Sequence, residues 1–199
     1  RLYASLRKIT EKRKDDAGWR ERAIGLTDMQ IRWFDVLSET RHELRARNKR
    51  LELLLKSCGQ AEHERPMTEA LSEAVGIAAL LGGLGDYDEG IRDCSKIISI
   101  ILSDSPGNTS DSDYVYRLAK DSLDADRISQ SELLVLVRAL RTRGYIAHDL
   151  WEEDDSKEDA LGLVPAINDK KTAYKLAWKL NGRNRSAELS RTLATLAYS

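Results

Sequence analysis

Two arginines stand just ahead of a histidine in the stretch RTRGYIAHDLW, Arg141 to Trp151. A histidine side chain can serve as a general acid or base because its ordinary pKa lies close to neutrality. An arginine beside it can stabilise the negative charge that develops on a reacting phosphate. Arg141, Arg143 and His148 are therefore the candidate catalytic residues of this sequence.

The same stretch also fits the end of a helix. Cations in the last turn of a helix are favoured by the helix dipole, and Arg138, Arg141 and Arg143 would stand there. Gly144 is typical of the residue that takes a left-handed conformation after the last turn. In this alternative the arginines stabilise the helix end, His148 has no special role, and no catalytic residue is assigned.

The stretch resembles the HEPN family, helical-bundle proteins whose nuclease members carry an arginine ahead of a histidine with four to six residues between them. Here four residues lie between Arg143 and His148, and six between Arg141 and His148. The resemblance covers about Tyr114 to Trp151, and YIAH is similar to the family's context. It implies a metal-independent ribonuclease or RNA-binding domain in which the pair meets across a dimer, with His148 as acid/base and Arg141 or Arg143 at the phosphate. Gly144 and the acidic run after His148 depart from the family pattern.

A second alternative is a winged-helix DNA-binding module. In it, ISQSELLVLVRALRTRGYI would be the recognition helix and YIAHDLW the strand that follows.

The remaining motifs argue against metals and cofactors. The segment from Asp121 to Glu132 has the length of a calcium loop, but Leu123 and Ala125 stand where oxygen ligands belong. No Gly-rich phosphate loop or zinc spacing is visible, so we expect neither a metal nor a cofactor.

Helix signals dominate the elements around these residues, and we predict an all-α fold. SQSE, Ser129 to Glu132, is a capping box that predicts a helix through Leu133, Leu136, Val137 and Leu140. A short helix capped by Ser112 should precede it. The segment from Ala74 to Ile98 resembles one tetratricopeptide hairpin, with its first helix ending at Gly82 and Gly83.

The first third of the sequence predicts one long helix. A helix should stop at Gly25, and TDMQ then offers a capping box at Thr27, with no Gly or Pro before Gly59. Apolar residues recur at heptad spacing along this segment, which is typical of a helix that packs along another helix. The predicted seam consists of Phe34, Leu37, Arg41, Leu44, Asn48, Leu51 and Leu55.

Charge is distributed in blocks although the net charge is −1. The run DLWEEDDSKED, Asp149 to Asp159, is strongly acidic, whereas the segment from Lys170 onward is basic. Lys171, Lys175 and Lys179 recur every four residues, so we predict a basic ridge on one helix. Opposed blocks favour docking between charged surfaces, and the ridge leaves nucleic-acid binding open.

Together these observations predict a long-helix, coiled-coil-like arm or hairpin over residues 1–65, packed on a helical bundle over residues 66–199. We expect a non-enzymatic interaction or assembly subunit that binds a protein partner or itself through the seam.

Two cysteines, Cys58 and Cys94, do not form a disulfide framework, and the start RLYASLRKIT has no signal pattern. We therefore expect a cytoplasmic protein without membrane association.

Overall fold

The computed structural model describes residues 18–58, 65–105, 107–153 and 163–181. Within these ranges the all-α prediction is confirmed, because they form seven α-helices and one short 3-10 turn and contain no strand. The chain divides into two compact units between Leu80 and Leu81. None of the helices in the described ranges is long and apolar enough to cross a membrane.

A helix hairpin forms most of the first unit. Helix α1 spans Trp19–Val36 and packs against α2, Thr40–Cys58. Helix α3, Arg65–Gly83, begins in this unit and ends in the second. Glu73 of α3 is buried and forms ion pairs with Arg47 at 3.1 Å and with Arg50, both on α2. These ion pairs connect α2 to α3 within this unit and give the buried carboxylate two guanidinium partners.

The single long helix that the sequence predicted is wrong. The chain breaks at Leu37–Glu39, where Ser38 has a φ of 54°. Two backbone bonds close the end of α1, from Ser38 N to Asp35 O at 3.0 Å and from Glu39 N to Phe34 O at 2.9 Å. This is the bonding pattern of a Schellman motif, which ends a helix with a left-handed residue. Because it uses serine, the sequence contains no glycine to indicate it.

Two further predictions in this region are wrong. Gly25 and Thr27 both lie inside α1, so neither ends nor begins a helix. Thr27 is fully buried, and its hydroxyl donates to the carbonyls of Ala23 at 3.2 Å and Ile24 at 2.7 Å. A hydroxyl bonded to the preceding turn is satisfied in mid-helix and needs no capping role.

The second unit is built around one central helix. It contains the end of α3, then α4 (Tyr87–Leu102), the 3-10 turn Asn108–Ser110, α5 (Ser112–Asp124), α6 (Gln130–Glu153) and α7 (Val164–Asn181). Helix α6 packs against α4 and α7, and α7 also packs against α5. The predicted apolar face of α6 is confirmed, because its four residues are fully buried: Leu133, Leu136, Val137 and Leu140.

The helix ends of this unit are partly as predicted. The capping box is confirmed, with Glu132 N donating to Ser129 Oγ at 3.2 Å and Ser129 N to the Glu132 carboxylate at 2.8 Å. Helix α3 ends at Gly83, as expected. Helix α5 is capped by Asp111 and not by Ser112, because the Asp111 carboxylate accepts from the backbone N–H groups of Asp113 and Tyr114.

Candidate functional site

The stretch RTRGYIAHDLW lies in the interior of α6. The helix continues to Glu153, so a helix end at Gly144 is wrong, and so is a winged-helix strand over YIAHDLW. Gly144 has a different role, because a Cβ atom there would lie 2.9 Å from the Ala166 carbonyl oxygen and 3.0 Å from Lys170 Cγ. The glycine therefore allows α6 and α7 to approach each other closely.

Arg143 is a buried structural cation. Its side chain pairs with Asp169 of α7 through two bonds, Nε to Oδ2 at 2.6 Å and Nη2 to Oδ1 at 2.7 Å. Its Nη1 donates to Ser95 Oγ at 3.0 Å and to the Thr109 carbonyl at 2.8 Å. The Asp169 carboxylate neutralises the guanidinium, and the other two bonds satisfy the donors on Nη1, as a charge in the interior requires.

Further hydroxyl groups complete this polar network. Ser112 Oγ donates to Asp169 Oδ1 at 2.6 Å, and Thr172 Oγ1 donates to the Ser112 carbonyl at 3.2 Å. Asp169, Ser112 and Thr172 are all buried. Through these bonds and those of Arg143, the network connects α4, the 3-10 turn, α5, α6 and α7.

His148 lies on another face of α6. It is the fifth residue after Arg143, which places the two about 140° apart around the helix axis. Arg141, seven residues before His148, is on nearly the same face. His148 Nδ1 lies 3.8 Å from Asp149 Oδ1 and 3.9 Å from Glu152 Oε1. These three side chains bring their ligand atoms within 4.8 Å of one another, but the two carboxylates are exposed, and such groups often lie close together without a metal.

A cavity of about 350 Å³ opens beside the Arg143–Asp169 pair. Its walls are mainly apolar and come from α4, α6 and α7: Ile91, Ala147, Leu150, Trp151 and Pro165. Its polar floor is formed by Arg143 and Asp169, which are buried, and by Ser95, which is half-buried. Ser110, which is exposed, also lines the cavity. Sequence analysis missed this site because Asp169 is 26 positions from Arg143, in a helix whose lysines dominated the pattern.

The predicted seam is divided by the break at Ser38. Phe34 lies on α1, Leu37 lies in the break and the other members lie on α2, and none is buried within the chain. Leu37 is 52% exposed and Leu55 is 51% exposed, whereas Leu44 and Leu51 are half-buried. Phe34 stacks on His42 at 5.3 Å, while Arg41 and Asn48 are exposed. The buried face of α2 is instead formed by other residues: Glu43, Ala46, Leu53 and Leu54.

Sequence analysis also missed an exposed apolar surface on α1. Met29, Trp33 and Val36 are 47%, 56% and 80% exposed. Their spacing of four and three residues places them on one face of the helix, and Leu37 follows directly. We call these four residues the α1 stripe. Beside it, Asp28 and Arg32 form an ion pair of 2.9 Å.

The predicted basic ridge lies on α7. Lys171 and Lys175 are exposed, and Lys175 Nζ lies 5.3 Å from the Tyr116 ring centroid. Lys179 Nζ pairs with Asp124 Oδ1 at 2.8 Å. Residues 154–159 of the acidic run lie outside the described residues, so docking between the two blocks stays a prediction.

Burial changes the titration of two groups in this unit. Desolvation raises the pKa of the Cys94 thiol to about 12, because the thiolate would lose its water in the core. Burial likewise lowers the pKa of Lys170, and the nearby carboxylates of Asp149 and Glu152 oppose that shift. Neither group lines the cavity.

The comparisons with known proteins give no functional information. The chain matches no protein-family model, no curated protein and no solved structure. Resemblance to the HEPN family and to a tetratricopeptide hairpin therefore stays an expectation from the sequence.

Proposed function

We propose that the chain is a non-enzymatic interaction subunit that associates with a second copy of itself through the α1 stripe. The observation that supports this most directly is the exposure of Trp33 between Met29 and Val36 on one helix face. Tryptophan and methionine are enriched in protein interfaces, and tryptophan is often an energetic hot spot. We thus retain the prediction of self-association through the first helices, but we assign the interface to the α1 stripe and not to the heptad seam.

Two features favour a second copy over an unrelated partner. The stripe is narrow and has helical spacing, so a helix with the same apolar spacing fits along it. The neighbouring edge carries two acids and one base, Asp28, Arg32 and Asp35, so the Asp28–Arg32 ion pair leaves it with a net charge of −1. A second copy would therefore meet limited like-charge repulsion there, and a two-fold contact would use each apolar side chain twice.

Sedimentation across a concentration series tests the proposal. We expect a dimer for the wild-type chain and a monomer for Trp33→Asp, with unchanged helical content by circular dichroism. Leu55→Asp is the matched control, because Leu55 is equally exposed but lies on the predicted seam of α2. A monomeric wild-type chain would refute self-association. A dimer that dissociates in Leu55→Asp but not in Trp33→Asp would show that the interface is the predicted seam.

The dependence of self-association on salt distinguishes a contact through the α1 stripe from a contact through the charge blocks. Apolar contacts persist at high ionic strength, whereas contacts between exposed charges are screened. We expect the dimer to survive high salt. A dimer that dissociates in salt and tolerates Trp33→Asp would mean that the acidic run and the Lys171, Lys175 and Lys179 ridge make the contact.

The alternative that we keep is a HEPN-type, metal-independent ribonuclease. Its support is the shared face of Arg141 and His148 on α6, because a dimer could bring the arginine of one copy to the histidine of the other. Arg143 is less suited to bind a phosphate, since its bonds go to protein atoms. We expect no cleavage of single-stranded RNA in the presence of a chelator. Cleavage that disappears in both Arg141→Ala and His148→Ala would establish the alternative.

A further inference from the structure

We infer that the cavity beside Arg143 and Asp169 is a binding site for a small, neutral, two-ring aromatic molecule that carries an N–H donor. This inference is independent of the proposed self-association, because the cavity belongs to the second unit and the α1 stripe to the first. It rests on the size of the cavity, the apolar character of its walls and the hydrogen-bonding groups on its floor.

Size sets the class of ligand. A volume of about 350 Å³ is within the range of small-molecule sites. An engineered protein cavity of about 150 Å³ holds benzene, so this cavity has room for about two fused rings. Trp151, Leu150 and Pro165 form flat or apolar walls against which such a ring system can pack.

The charge of the floor favours a neutral ligand. Arg143 and Asp169 neutralise each other through two bonds. A charged ligand would therefore lose its hydration without gaining a counter-ion of its own. A neutral molecule avoids that cost.

The unused bonding capacity of the floor favours a donor on the ligand. Arg143 already donates four bonds to the protein out of a possible five. Ser95 Oγ donates to the Ile91 carbonyl and accepts from Arg143, which leaves it one lone pair. Ser110 Oγ donates to the Gly107 carbonyl, and its lone pairs remain. Asp169 Oδ2 accepts from Arg143 alone among the described residues. The donors that remain are the fifth N–H of Arg143 and the Nε1–H of Trp151. The acceptor atoms at Ser95, Ser110 and Asp169 outnumber them, so a ligand N–H complements the floor.

Indole is the probe that tests this inference, and 1-methylindole is its matched control because it has the same rings without the N–H. We expect calorimetric titration of the full chain to give an indole dissociation constant of about 1 mM or tighter, as for other fragments. Binding of 1-methylindole should be weaker by about tenfold, because a buried acceptor loses its donor. No indole binding, or equal binding of the two probes, would overturn the inference.

Variants then locate the site. Ala147→Phe fills the cavity and should weaken indole binding at least about tenfold, whereas Ala125→Phe, at an exposed turn, should leave binding unchanged. If Ala147→Phe fails to fold, Leu150→Trp narrows the cavity from a position that is already 37% exposed. Undiminished binding by a folded Ala147→Phe or Leu150→Trp variant would show that indole binds elsewhere and would refute the assignment.

Discussion

Arg143 and Asp169 form a two-bond ion pair in the interior of the second unit, where each side chain is 5% exposed. The pair connects α6 to α7, and it does not leave the guanidinium open to a phosphate. An arginine that sequence analysis assigned to possible catalysis thus has a contact that stabilises the fold.

The first prediction concerns this pair. Asp169→Ala should lower the free energy of unfolding by about 3–5 kcal/mol, because it leaves the Arg143 charge buried without a partner. Urea denaturation measures the change. Asp124→Ala is the control, since it removes the exposed pair with Lys179 and should cost about 0–1 kcal/mol. Similar losses in the two variants would contradict the structural role of the buried pair.

The second prediction concerns the contact of α6 with α7 at Gly144. Gly144→Ala should destabilise the chain by about 1–3 kcal/mol, because the added Cβ would meet the Ala166 carbonyl oxygen at 2.9 Å. Gly83→Ala is the matched control at a helical position with no atom within 4 Å of the added group, and it should be neutral or stabilising. Thermal melting distinguishes them. A neutral Gly144→Ala would mean that the helices do not approach so closely.

The third prediction concerns the break between α1 and α2. Ser38→Gly should raise the free energy of unfolding by up to about 1 kcal/mol, because glycine adopts the left-handed conformation of Ser38, with its φ of 54°, without steric cost. If the helix were continuous, the same change would lower stability by about 1 kcal/mol. The sign of the change in urea denaturation therefore decides between a hairpin and a single long helix.

Regular packing was predictable from the sequence, whereas exceptions to it were not. Leu133, Leu136, Val137 and Leu140 repeat with helical spacing, so their burial follows from the pattern alone. The break at Ser38 depends on backbone bonds that do not require a glycine. Because the sequence did not indicate that break, the seven-residue spacing predicted a seam on one helix.

The candidate site was unpredictable for a related reason. Arg143 looks like any other arginine near a helix end until α7 brings Asp169 to it, and nothing in NDKK indicates that its aspartate is buried. The α1 stripe could have been found from the spacing of Met29, Trp33 and Val36. The leucines at heptad spacing extend over a longer segment, and they indicated an interface on the neighbouring face.

The last prediction is a loss of stability at high pH caused by Cys94. Burial raises the pKa of this thiol from its ordinary 9.0 to about 12, so the unfolded chain loses the proton before the folded one does. The contribution to stability is complete below pH 9 and decreases as the pH rises from 9 towards 12. Between pH 8 and pH 10 we expect a loss of about 1 kcal/mol from this group.

The titration of Tyr87 must be distinguished from that of Cys94, because it occurs in the same pH range. Its hydroxyl donates to Glu153 at 2.5 Å, and that bond raises its own pKa to about 12. The measurement therefore compares urea denaturation of Tyr87→Phe with that of Tyr87→Phe/Cys94→Ala at both pH values. The double variant should start from a lower stability, because the core loses the sulfur atom, but it should lose less between pH 8 and pH 10. Equal losses in the two chains would show that the Cys94 thiol titrates alike in the folded and unfolded states, and would contradict its place in the core.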